Sequence, residues 1–251
     1  MRQFFQYIRI FACISLVCCL LSWSLPAQAA SLNPKLEQQV LQILREHPEV
    51  IIESVETYQQ QQQKQLQQVR QSFLQDLKTN PQLVIGESPT TGSTTSKIVL
   101  VEFSDFQCPY CAEAHKTLKQ LLAKHQNEVT LVYKHFPLTA IHAEALPAAK
   151  AAWAANQQGK FWEYQDALFT NQKQLSEALY LDTAKALNLD LEKFKSDAFG
   201  ANNLAEKAIG KDVRLAEQLG IAGTPFFVMN SKNFSGVVQL SNIESILADA
   251  K

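Results

Sequence analysis

Glycine and proline are scarce in this 251-residue chain, at eight and nine copies, which excludes a collagen-like or low-complexity architecture. An excess of charge of one sign is also missing. Twenty-three basic and 24 acidic side chains give a formal net charge of −1, so the chain carries no footprint for a nucleic acid or an anionic membrane surface. Cysteine is sparse and unevenly placed: Cys13, Cys18 and Cys19 fall near the N-terminus, and only Cys108 and Cys111 follow. Long apolar runs are absent beyond the first 25 residues. What remains is an ordinary globular composition, 46% apolar, long enough for one packed domain and a sizeable appendage.

The N-terminus has an order of its own. Arg2 and Arg9 precede an apolar run from Ile10 to Leu25 that is interrupted only by Ser15, Ser22 and Ser24. Pro26 ends the run, and Ala27-Gln28-Ala29 places small residues where a signal peptidase reads them. Residues 1–29 therefore read as a secretory signal peptide, cleaved before Ala30. The competing reading is a retained anchor, for which the run falls short of the ~20 residues a bilayer requires. Cleavage takes away two arginines and no acid, so the formal net charge moves from −1 to −3. Three cysteines leave as well. An exported chain whose remaining thiols stand three apart is not a multi-disulfide scaffold, and the pair reads as redox chemistry. The expected location is the periplasm or an equivalent extracytoplasmic space.

Residues 31–80 read as a helical extension. Asn33 suits a cap and Pro34 a first helical position, and Leu36, Val40, Ile43 and Leu44 recur on one face. Pro48 closes this helix and opens a longer one. In that helix Val55, Tyr58, Leu66, Val69, Phe73 and Leu77 follow three-and-four spacing, interrupted at Gln62. Some thirty helical residues extend ~45 Å, and an apolar stripe on such a helix packs against a partner helix, so residues 50–78 are expected to join copies of the chain; the competing readings are a single helix folded back on the domain and a partly frayed glutamine-rich linker. Residues 81–97 read as a linker, with a short strand at Leu83–Ile85 and a polar turn region from Gly86 to Ser96. Further strands are expected at Ile98–Phe103, Val129–Tyr133, Phe226–Met229 and Gly236–Leu240. A helix is expected over residues 112–124, an alanine-rich helical block over 140–219, and a last helix capped by Ser241. The order is β-α-β, helical block, β-β-α. Trp153, Phe161, Trp162, Tyr164 and Phe169 have helical spacing and read as core.

A strand running through C-P-Y-C into a helix puts Cys108 at the helix start, where free N–H groups and the dipole favour a thiolate. Cys108 is then the attacking sulfur and Cys111, one turn on, the resolving one. Pro109 lacks only an N–H that has no helical partner at that position. The competing reading is half of a zinc site, but zinc needs four ligands and His115, His125, His135 and His142 show no ligand spacing. No metal or other cofactor is expected. His115 is expected on the helix flank and Lys134 as an electrostatic neighbour of the thiolate.

The stretches EFSDFQCPYC (Glu102–Cys111) and GIAGTPFFVMN (Gly220–Asn230), with the helical block between them, resemble the DsbA-like thiol–disulfide oxidoreductases of the thioredoxin superfamily. The resemblance covers residues 98–250. It implies an α/β thioredoxin-like fold with a large helical insertion, preceded here by the N-terminal helical extension. It implies a redox-active pair at Cys108 and Cys111, a cis-proline at Pro225, and a backbone at Thr224 that pairs with an extended client segment. Pro109 and Tyr110 would face the client beside it. Glu102 would be the buried acid that shuttles protons to the resolving cysteine, although the strand alone also allows it to face solvent.

The resemblance further implies an oxidase acting on unfolded or misfolded exported proteins and recycled by a quinone-linked membrane partner. The N-terminal helices resemble the extension of a subgroup in which such a segment joins subunits, which suits an oligomeric isomerase. The reading from another class is a non-enzymatic holdase that grips extended peptides.

Overall fold

The computed structural model describes residues 33–93, 95–96, 98–125, 127–201, 203–230, 232–236 and 238–249. The expected signal peptide lies outside them. The described residues group into two compact units, one ending at Gln60 and one beginning at Gln61.

In the first unit, α1 spans Pro34–Glu46. The Asn33 side chain accepts from the Lys35 N–H at 3.0 Å, and Pro34 takes the first turn, where its missing N–H has no partner. Helix α2 spans Pro48–Thr79 and enters the second unit near its middle. No residue of α1 is buried. Val40, Ile43, Ile52, Val55 and Tyr58 are among the large apolar side chains left exposed in this unit.

From Gln61 onward the same helix behaves differently. Leu66 and Val69 are half-buried, and Phe73 and Leu77 are buried in a cluster with Ala216, Leu219 and Ile221. Arg70 Nε donates to the Leu219 carbonyl at 2.8 Å. The stripe read from the sequence thus divides near its Gln62 interruption. Its far half packs within this unit, and its near half, Val55 and Tyr58, is exposed.

The second unit is built on a five-stranded sheet. Strands β1 (Thr90–Gly92), β2 (Val99–Ser104), β3 (Thr130–His135), β4 (Phe226–Met229) and β5 (Lys232–Ser235) lie in the order β1-β3-β2-β4-β5. The pair β2–β3 is parallel, and β1–β3, β2–β4 and β4–β5 are antiparallel. Both central strands are buried along their whole length, as a sheet covered on both faces requires. One face carries Val99, Val101, Phe103 and Val132 against Phe73, Leu77 and Ala216. The other carries Leu100 and Leu131 against Ala114, Leu118 and Leu121 of α4 (Pro109–Lys124).

Three expectations are corrected. Leu83–Ile85 is not a strand, because Pro81 opens a short helix there, α3 (Pro81–Ile85). The turn region 86–96 contains β1, whose last residue, Gly92, has φ +87°, and a Cβ there would run into the Val129 carbonyl oxygen. The last strand lies at Lys232–Ser235 rather than Gly236–Leu240, and Leu240 already begins the final helix, α10 (Leu240–Asp249).

The helical block between β3 and β4 is α5 (Ala145–Asn156), α6 (Phe161–Thr170), α7 (Glu177–Ala186), α8 (Leu191–Phe199) and α9 (Leu204–Gln218). Seven alanines of α5 are buried, so its neighbours approach closely at little side-chain entropy cost. Ser176 and Asp190 cap α7 and α8 through Leu179 N and Lys193 N. Phe161, Tyr164 and Phe169 lie in the core as read, whereas Trp153 and Trp162 are half-buried at its margin.

Candidate active site

Strand β2 ends at Ser104, and Asp105–Gln107 turns the chain into α4, whose N-cap is Cys108. The turn is fixed from inside. The Asp105 carboxylate, fully buried, accepts from Gln107 N at 2.7 Å, from Leu138 N at 2.9 Å and from His142 Nδ1 at 2.8 Å. Its own carbonyl accepts from Cys108 N at 3.1 Å. From the helical insertion, Gln172 Nε2 donates to both the Phe106 and Cys108 carbonyls at 2.8 Å. Gln107 Oε1 accepts from Glu144 N at 2.7 Å, and Glu144 accepts from the Tyr180 hydroxyl. Asp105, His142, Gln172 and Glu144 were not singled out from the sequence. Apart from the local bonds of Asp105 to Gln107 and Cys108, their partners lie 33 to 66 residues away along the chain, and no local pattern marks such a pairing.

Both cysteines are free thiols and buried. Cys108 Sγ lies 3.3 Å from the Thr224 carbonyl oxygen, and the Thr224–Pro225 peptide is cis. The two motifs read far apart in the sequence therefore meet at this sulfur. The Cys108 pKa is drawn down to about 5, chiefly by the Cys111 thiol. Burial opposes this, while the Thr224 side chain and the backbone N–H groups of Cys111 and Tyr110 add to it. The Cys111 thiol is pushed strongly the other way by burial and by the neighbouring Cys108. One sulfur is thus held ready as a thiolate and the other as a thiol. Pro109 and Tyr110 form the first turn, with the Tyr110 side chain exposed.

Glu102 is wholly buried, not solvent-facing, and burial pushes its carboxyl up to about 7. Ser104 tempers that rise without making a hydrogen bond of normal geometry. Tyr133 stands opposite Glu102 across the parallel ladder. Burial, then the Glu102 charge, raises its phenol well above the usual range.

One neighbour departs from expectation. Lys134 shares the opposite sheet face with Phe103 and pairs with Asp212 at 3.3 Å and Ser88 Oγ at 2.7 Å, so it does not attend the thiolate. His115 lies on the flank of α4, which is covered there. It is buried, bonds Asp166 at 2.9 Å and stacks on Phe169. Among the described residues no group of three or more His, Cys, Asp or Glu is placed to hold a metal ion.

A sheet of this topology with a thiol pair at the start of the helix after β2 defines a class, the thioredoxin-fold dithiol proteins. The family pattern described as Thioredoxin matches residues 85–249, and the chain belongs to that family. A thioredoxin-like oxidoreductase from Silicibacter pomeroyi is 32% identical, the match covering 66% of this chain and 92% of that one at a TM-score of 0.60. The thiol–disulfide exchange protein α-DsbA2 from Wolbachia pipientis shares the fold at 21% identity, over 76% and 98% of the two chains, with a TM-score of 0.64. ScsC from Proteus mirabilis, in a transitional conformation, shares it at 23% identity over 87% and 98%, with a TM-score of 0.60. The thioredoxin-like fold with a helical insertion holds.

The curated relatives include a Na+/H+ antiporter, NhaA 3, from Salinispora tropica, 38% identical over 160 residues. That match takes in 62% of this chain but 23% of the antiporter, so the chain spans under a quarter of the length of such relatives. Ion transport is a statement about those proteins. No helix among the described residues is long and apolar enough to cross a membrane.

Proposed function

We propose that the chain is an exported thiol–disulfide oxidoreductase that forms or reshuffles disulfides in exported proteins through Cys108 and Cys111. One observation carries this reading. Cys108 is the N-cap residue of α4, its thiol is drawn down to about pKa 5, and its sulfur lies beside both Cys111 and the Thr224 carbonyl.

In the oxidising direction a client thiolate attacks the Cys108 sulfur of the Cys108–Cys111 disulfide, and Cys111 leaves. A second client thiol then attacks the mixed disulfide and releases Cys108 as a thiolate. Stabilising that thiolate stabilises the reduced protein, which makes the disulfide oxidising and favours net transfer of disulfides to clients. Re-oxidation falls to a quinone-linked membrane partner. Thr224 and Pro225 offer backbone to an extended client segment, with Pro109 and Tyr110 alongside.

The exposed apolar residues of α1 and the first half of α2 favour a second reading, an oligomer that reshuffles wrong disulfides. Joined copies would hold several thiolates at high effective concentration around one client.

The test is a paired refolding assay, with a reduced unfolded client and a scrambled one. Cys108→Ser should lose both activities, and a Cys108→Ser protein that oxidised the reduced client at the wild-type rate would defeat the reading. Ile52→Asp with Val55→Asp should spare oxidation and lose reshuffling if the second reading holds.

A further inference from the structure

The mechanism above leaves the proton of Cys111 unaccounted for. Among the described residues, buried side-chain polar atoms without a hydrogen-bond partner belong to Glu102, Ser104, Tyr133, His135 and Thr224. Four of these five sit together. Strand alternation puts Glu102 and Ser104 on one face of β2, and the parallel register sets Tyr133 opposite Glu102 and His135 opposite Ser104.

This is the face that α4 covers. Cys111, in the first turn of α4, is fully buried, and its sulfur accepts from the N–H of Asp105, the residue after Ser104, at 3.5 Å. A carboxyl, a hydroxyl, a phenol and a thiol thus lie buried on one face of the sheet beneath the first turn of α4. Buried polar groups left without partners are rare and gather where function holds them.

The geometry points to Ser104 as the group through which the resolving thiol of Cys111 exchanges its proton with Glu102; the inference rests on the oxidoreductase reading above. A hydroxyl both donates and accepts, as a relay must. Ser104 also favours the ionised forms of all three neighbours, Glu102, Cys111 and Tyr133. Glu102 at about 7 is matched to proton transfer at neutral pH.

Glu102 is flanked across the ladders by Tyr133 of β3 and Phe227 of β4, while His135 stands opposite Ser104 and the Cys111 sulfur of α4 meets the N–H of Asp105. Burial keeps Tyr133 protonated and His135 neutral, the latter at about 3. Glu102 is therefore the member of this group that changes charge near pH 7.

The step balances. In a mixed disulfide between Cys108 and a client, the Cys111 thiol passes its proton to Ser104 Oγ as the Ser104 proton passes to the Glu102 carboxylate. The freed electron pair of Cys111 forms the bond to Cys108, the Cys108–client bond breaks, and the client sulfur leaves as a thiolate. The protein dithiol is oxidised and the client disulfide reduced by two electrons. Run backwards, with a client thiolate attacking Cys108, the relay returns the proton to Cys111 as it leaves.

The experiment loads the full chain as a mixed disulfide with a small aromatic thiol and follows its release by rapid mixing between about pH 5 and 9. Ser104→Ala should release the thiol roughly 10–100-fold more slowly while Cys108 titrates and alkylates as in wild type. The inflection near pH 7 should move up, because the hydroxyl that lowers Glu102 is gone. Ser104→Thr should restore both. Release from Ser104→Ala at the wild-type rate with an unmoved inflection overturns the relay and leaves the oxidoreductase reading standing. A wild-type chain that releases nothing brings down both. In the wild type itself two protons move together, so the rate should curve across mixtures of light and heavy water; a straight line overturns the relay without any variant.

Discussion

Glu102 is an acid placed where acids are costly, and its position sets a pH dependence. Its folded pKa, about 7, lies above the ordinary 4.5, so between those values the folded chain holds more proton than the unfolded one. Stability then falls as pH rises from about 4.5 to about 7 and is flat above. The difference is on the order of 3 kcal/mol. Glu102→Gln should therefore be more stable than wild type by about 2–3 kcal/mol at pH 8, with the gap closing toward pH 4.5, as urea unfolding at both pH values would measure. An equal gap at both would locate the effect outside this titration. At Cys108 the shift runs the other way. Thiolate absorbance should rise with a midpoint near pH 5, and Cys111→Ser should move that midpoint up, because the Cys111 thiol is the largest stabilising influence. The residues that carry this chemistry were legible because C-P-Y-C and G-T-P are local patterns. Asp105, His142 and Gln172 were not, since an aspartate in a turn and a glutamine after a helix acquire meaning only when the chain folds back on them.

At the scale of elements, α2 makes the clearest prediction. Phe73 and Leu77 are buried with Ala216, Leu219 and Ile221, so Phe73→Ala should cost about 3–5 and Leu77→Ala about 2–5 kcal/mol in chemical denaturation. Tyr58→Ala, on the exposed part of the same helix, should cost under ~1 kcal/mol in a dilute sample. The buried central strands read directly from IVLVEF and VTLVY, where continuous β-branched apolarity has one good explanation. The misread elements failed for physical reasons. Leu83–Ile85 is an apolar run too short to carry a period, and the preceding proline decided for helix. Strand β5 has the sequence KNFS and lies exposed at the sheet edge. It is defined by the tight turn after Met229, where Asn230 adopts φ +54°, rather than by any alternation of its own.

At the scale of the whole molecule, the first unit leaves the large apolar side chains of α1 and early α2 in water, Ile43, Ile52 and Tyr58 among them at more than half exposed. Self-association follows as an expectation. Light scattering at tens of micromolar should report a mass above the monomer, and Ile52→Asp with Val55→Asp should return it to one chain. A monomeric wild type at that concentration would remove the basis for the oligomeric reading. The sequence already carried this stripe, but its spacing did not mark where the division falls, with the far half, from Leu66, packed within the second unit. The clamp of Arg70 on the Leu219 carbonyl and the seating of Phe73 and Leu77 have a practical corollary for anyone trimming the gene. A fragment starting at Pro81, the boundary that composition suggests, would arrive with an open wound in its hydrophobic interior, whereas one starting at Gln61 would keep its own wall.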